Sequence, residues 1–122
     1  MSRILIVEDE ADMATVIGER LRDEKFEVMV ASEGYRGVEL AHKQKPDLII
    51  LDLMLPVGDG LWVLKTLKED LATSRIPVVV LTGIENEEYK QNILKAGVEE
   101  YIEKPYDGDK LVKTIKRVLE NK

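Results

Sequence analysis

Five residues of this 122-residue chain carry groups suited to binding a metal ion and moving a phosphoryl group: Glu8, Asp9, Asp52, Thr82 and Lys104. Three carboxylates make a hard-oxygen donor set. Such a set suits Mg²⁺, with the remaining ligands drawn from water, a backbone carbonyl and phosphate oxygens. It lets an acidic cluster tolerate an incoming phosphoryl group, whose transfer depends on positioning and on offsetting charge at the equatorial oxygens. Asp52, the central acid, has the carboxylate oxygen that attacks phosphorus, while the Lys104 ammonium and the Thr82 hydroxyl can each hold a phosphoryl oxygen. Taken singly, four of the five have plainer readings. Glu8 and Asp9 also fit as complements to a helix N-terminal dipole, Thr82 as a hydroxyl turn, and Lys104 as a surface charge or the partner of an acid. Asp52 resists that reduction, because an acid ending an apolar strand near other acids meets like-charge repulsion that something must offset.

The five residues can act jointly only if the chain brings them together. Short β-branched or apolar runs recur at near-even spacing, at Ile4 to Val7, Phe26 to Val30, Asp47 to Leu51, Pro77 to Leu81 and Glu100 to Ile102, and each reads as a strand. Leu48 to Leu51 and Val78 to Leu81 show no polar alternation, as expected of parallel strands covered on both faces. Between them lie segments of helical period: Met13, Val16, Ile17 and Leu21; then Leu61, Leu64, Leu67 and Leu71; then Leu111, Ile115, Val118 and Leu119. Pro46 and Pro77 precede strands, Gly58-Asp59-Gly60 precedes a helix, and Pro105 follows the fifth strand. Five βα units with right-handed crossovers wind into an open parallel sheet with helices on both faces. Residues just past the strand ends then converge on one edge, and all five candidates fall there.

Composition narrows the function classes. With 44% apolar and 34% charged residues, residues 1–122 read as one domain. Eighteen basic against 24 acidic residues give a net charge of −6, a poor balance for binding nucleic acid directly. The absence of cysteine excludes disulfides, thiolate metal sites and cysteine nucleophiles and points to a reducing cytoplasm. The opening apolar run is too short for a signal peptide or a membrane span, so no membrane role is expected.

Four motifs then stand in order: Ile4-Leu5-Ile6-Val7-Glu8-Asp9; Asp47 through Asp52 and Met54 to Pro56, with Asp59-Gly60 downstream; Val80-Leu81-Thr82-Gly83; and Tyr101-Ile102-Glu103-Lys104-Pro105. Together with the 52-residue separation of Asp52 and Lys104, they resemble the receiver domain of two-component response regulators, in the chemotaxis-type single-domain form, from residue 3 to about residue 120. The resemblance implies a flavodoxin-like, doubly wound five-stranded parallel sheet of order 2-1-3-4-5. It implies phosphorylation of Asp52 by a histidine kinase or a histidine phosphotransfer protein, with the receiver catalysing both the transfer and the later hydrolysis. Mg²⁺ would be held by Glu8, Asp9, Asp52 and the Met54 backbone carbonyl. Thr82 and Lys104 would bind phosphoryl oxygens, Tyr101 would be the moving aromatic, and the Lys104-Pro105 peptide would be cis.

Output would use the face of the fourth helix, fifth strand and fifth helix, where Lys90, Lys95, Lys110, Lys113 and Lys116 form an expected basic patch. The downstream partner would be an output protein or an output domain of a longer chain, and a phosphorylation-dependent homodimer would use the same face. Met13, Val16 and Ile17 read as core, although the exposed edge of that first helix is where family members dock their kinase. Met54 and Ile84 hold positions that tune loss of the phosphoryl group. Both are apolar, so neither orients an attacking water and slow dephosphorylation is expected. Gly83 leaves space beside Asp52, Trp62 packs near the start of the third helix, and His42 reads as a surface residue. Three rivals share parts of the pattern. A haloacid-dehalogenase-type phosphatase needs a D-x-D pair after the first strand, and a flavodoxin-like carrier needs a phosphate loop where Glu8-Asp9-Glu10 stands. The third, a degenerate receiver acting only as an interaction module, would usually have lost the acid pocket or the lysine.

Overall fold

Runs of Ile, Leu and Val without polar alternation need cover on both faces, and a helix after every strand supplies it. In the computed structural model, which describes residues 2–55, 60–83 and 85–121, the chain runs β1 (Arg3–Val7), α1 (Ala11–Asp23), β2 (Glu27–Ala31), α2 (Gly34–Gln44), β3 (Leu48–Asp52), α3 (Gly60–Glu69), β4 (Val78–Thr82), α4 (Glu87–Lys95), β5 (Glu100–Glu103) and α5 (Gly108–Glu120). The strands pair in parallel in the order β2-β1-β3-β4-β5, a doubly wound, flavodoxin-like sheet. The strand boundaries differ from those read in the sequence by a residue or so, as terminal residues fray or pair with a neighbour.

Alternation along each strand divides the core in two. Leu5, Val7, Ile49, Leu51, Val78 and Val80 face one layer with Ala41, Val63, Leu64, Leu67 and Ile93 from α2, α3 and α4. Ile4, Ile6, Leu48, Ile50, Val79 and Leu81 face the other with Ile17, Leu21, Leu111, Ile115 and Val118 from α1 and α5. β3 and β4 are buried throughout, whereas the edge strand β2 leaves Val30 exposed. Side chains start three of the helices: Glu33, Asn86 and Asp107 each accept a hydrogen bond from a backbone N–H two or three residues on.

Two apolar residues depart from the expected helical stripes. Val16 is 61% exposed, because α1 turns Ala14, Ile17, Gly18 and Leu21 inward and the next position round the helix points to solvent. Leu71 is 93% exposed because α3 ends at Glu69, so the period of Leu64 and Leu67 does not extend to it. Trp62 is also largely outside the core, stacked on Tyr35 of α2 with ring centres 5.8 Å apart.

Candidate active site

Strand register sets the site. Asp52, the last residue of β3, lies opposite Leu81 of β4, so Thr82 stands one residue beyond it on the neighbouring strand, and Thr82 in turn pairs with Glu103 of β5. Glu8 and Asp9 follow β1 on the other side of β3, and Lys104 follows β5. Two backbone bonds extend this order past the strands: Glu8 N–H donates to the Ala31 carbonyl at 3.0 Å and Lys104 N–H to the Thr82 carbonyl at 2.8 Å. The Lys104-Pro105 peptide is cis.

Within this edge, Glu8 and Asp52 are each only 2% exposed and Thr82 is fully buried. The Lys104 ammonium lies 2.9 Å from Asp52 Oδ2 and 3.9 Å from Glu8 Oε2. Asp52 Oδ1 accepts the Met54 backbone N–H at 2.9 Å, and Glu8 Oε1 accepts the Glu10 N–H at 3.2 Å. Among the described residues, buried Glu8 Oε2 has no hydrogen-bond partner. One ligand oxygen from each of Glu8, Asp9 and Asp52 lies within 4.8 Å of the others. Close-set hard oxygens, beside a buried Glu8 oxygen that no described donor hydrogen-bonds, fit a divalent cation such as Mg²⁺.

Burial, reinforced by the Asp52 carboxylate beside it, pushes Glu8 up to about 8. Burial alone lowers the affinity of Lys104 for its proton, but its hydrogen bond to Asp52 and the charges of Asp52, Glu8 and Glu10 outweigh that and raise its pKa. In the metal-free cluster a proton on Glu8 and the Lys104 charge thus relieve the repulsion among the acids.

Two glycines shape the approach. A Cβ on Gly60 would sit 2.4 Å from the Leu53 backbone, so only glycine lets α3 start directly against the residue after Asp52. Among the described residues, a Cβ on Gly83 would meet only the Met54 sulfur, at an ordinary contact distance of 3.6 Å. Met54 itself is 55% exposed. Pro56, Gly58, Asp59 and Ile84 lie outside the described residues. A largely apolar cleft of about 610 Å³ opens next to Lys104, between Met13, Val16 and Ile17 of α1 on one side and Tyr106, just before α5, and Leu111, in its first turn, on the other.

The family model of the response regulator receiver domain matches residues 4–116. The chain belongs to this family. Protein PilH of Pseudomonas aeruginosa is 35% identical over 98% of both chains. The phosphate regulon transcriptional regulatory protein PhoB of Escherichia coli is 39% identical over 96% of this chain and 51% of its own length. The DNA-binding dual master transcriptional regulator RpaA of Synechocystis is 34% identical over 98% of this chain and 49% of its own length. This receiver thus spans about half the length of the first curated relatives it matches. Among solved structures, a CheY-like receiver from Methanospirillum hungatei superposes with a TM-score of 0.93 at 26% identity, covering 99% of this chain and 95% of its own. The receiver domain of a sensor histidine kinase from Pseudomonas aeruginosa, solved with a magnesium ion coordinated in its active site cleft, gives 0.89 at 30% identity over 98% of both chains. Receiver domains bind Mg²⁺ in an acidic active site of this kind.

The five residues singled out in the sequence all stand at the C-terminal edge of the sheet. The expected lysine patch is smaller than anticipated. Lys116 turns to the other side of α5 and pairs with Glu24, just past α1, because that part of α5 faces α1. His42 is exposed on α2, with Nδ1 3.2 Å from Asp70. Glu103, whose carboxylate lies 3.9 Å from the Lys90 ammonium that also faces the Tyr101 ring, carries no signal of that contact in the sequence. No local pattern links residues on α4 and β5 that are joined only by the fold.

Proposed function

We propose that this receiver, read as one domain over residues 1–122, accepts a phosphoryl group on Asp52 in a Mg²⁺-dependent reaction and thereby switches its α4-β5-α5 face. The observation that carries this reading is the buried Asp52 carboxylate, held by Lys104 at 2.9 Å and by the Met54 N–H at 2.9 Å within a cluster of three acids. Those two bonds orient the carboxylate. One of its oxygens attacks the phosphorus of a phosphohistidine: the new P–O bond forms, the P–N bond breaks, and the imidazole leaves with the electron pair and takes up a proton. Glu8, Asp9, Asp52 and the Met54 carbonyl would hold Mg²⁺, which offsets charge on the transferring oxygens. Lys104 can pass its hydrogen bond from Asp52 to a phosphoryl oxygen, and the Thr82 hydroxyl can serve another. The product adds roughly 1.5 to 2 negative charges at Asp52, which draws Thr82 toward it and opens space for Tyr101.

The phosphoryl donor would be a histidine kinase or a histidine phosphotransfer protein, seated in the apolar cleft between α1 and the start of α5, where Val16 stands exposed beside Lys104. An output protein, or an output domain of a longer chain, would read the α4-β5-α5 face. The exposed thioether of Met54 offers no strong acceptor to orient a water, so loss of the phosphoryl group is slow; an acyl-phosphate half-life of seconds contradicts that part. The decisive experiment is intact mass after incubation with acetyl phosphate and Mg²⁺, beside an Asp52→Asn variant and an EDTA control. One hydroxylamine-labile phosphate on the parent chain alone, dependent on Mg²⁺, supports the reading. Mg²⁺ binding with no adduct favours a module that acts by interaction only.

A further inference from the structure

Tyr101 and Glu103 stand two residues apart on β5, so their side chains leave the same face of the strand. From α4, the Lys90 ammonium is 5.5 Å from the centre of the Tyr101 ring and 3.9 Å from Glu103 Oε1. An exposed lysine near a ring is ordinarily a weak contact. Here a carboxylate on the same strand face lies within ion-pair distance of the same ammonium, so ring and acid both face one cation. Tyr101 is also partly buried against the core layer that α2, α3 and α4 cover.

We propose that Lys90 is a positioning residue that latches Tyr101 in its resting arrangement and so sets how readily the Asp52 site passes to its phosphorylated form. This rests on the receiver mechanism above. Movement of the Tyr101 ring away from Lys90 gives up the 5.5 Å cation-ring contact, so that contact favours the arrangement in which the two meet. The coupling is reciprocal: whatever weakens the contact strengthens binding of a phosphoryl analogue at Asp52 by the same factor.

Beryllofluoride with Mg²⁺ serves as the analogue, its Kd measured by calorimetry on the whole chain, with the assigned Tyr101 ring resonances followed in the free and bound protein. Lys90→Met keeps the aliphatic stem and removes the charge. It should tighten beryllofluoride binding about two- to five-fold and move the Tyr101 resonances of the free protein toward their bound positions. Lys90→Arg retains a cation over the ring and should match the parent, while Glu103→Gln should give part of the Lys90→Met effect. Equal affinity and unmoved Tyr101 resonances in Lys90→Met overturn the latch and leave the receiver mechanism standing. If parent and variants all bind Mg²⁺ but none binds beryllofluoride, the receiver mechanism and the latch fall together.

Discussion

Among single residues, Glu8 has the most to reveal, because its carboxylate is buried with one oxygen that has no hydrogen-bond partner among the described residues. In the metal-free fold it keeps its proton up to about 8, against 4.5 ordinarily. Folding therefore takes up a proton across that window, and stability falls as pH rises through it. The expected outcome is a urea midpoint that declines from pH 5 toward pH 8 without metal, with a shallower decline in Glu8→Gln. A cation bound by the three acids must displace that proton, so the stabilisation given by Mg²⁺ should be larger at pH 8 than at pH 6. Lys104 offers a second test at this scale. Lys104→Met removes the cation 2.9 Å from Asp52, and intact-mass time courses with acetyl phosphate should then show a much slower or absent adduct while Mg²⁺ still binds.

At the scale of elements, the site depends on how closely a helix can start against a strand end. Gly60 opens α3 where a Cβ would lie 2.4 Å from the Leu53 backbone. Gly60→Ala should therefore cost about 1–3 kcal/mol in chemical denaturation and weaken Mg²⁺ binding, because relief of the clash moves the residue next to Asp52. α1 shows the converse. Val16 is exposed and outside the core, so Val16→Ser should alter stability by no more than about 0.5 kcal/mol. It should nevertheless slow phosphotransfer from a phosphohistidine protein while leaving the reaction with acetyl phosphate intact. An equal effect on both donors would argue that α1 acts on the site itself and not on docking.

For the whole molecule, metal binding and folding are linked, because the three acids meet only in the assembled sheet. Mg²⁺ at ~100 times its Kd should add ~2.7 kcal/mol to the unfolding free energy, and Asp52→Asn should lose part of that gain. Much of the architecture was legible in the chain. Leu48 to Leu51 and Val78 to Leu81 are apolar at every position, so they require cover on both faces, and the helical periods between the runs require parallel crossovers. The place of Glu8, Asp52, Thr82 and Lys104 at one edge follows from that alone, because every parallel strand ends on the same side. Other features came only from three-dimensional packing. Local period could not tell that Val16 and Leu71 face solvent, since that depends on the rotation of α1 and on where α3 stops. Nor could it tell that Lys116 serves Glu24 while Lys90 serves Tyr101 and Glu103, or that one Glu8 oxygen has no hydrogen bond among the described residues. A sequence determines which residues must be covered and which strand ends they follow; distances between side chains on different elements, and hence charge pairing and proton affinity, are decided only when the elements dock.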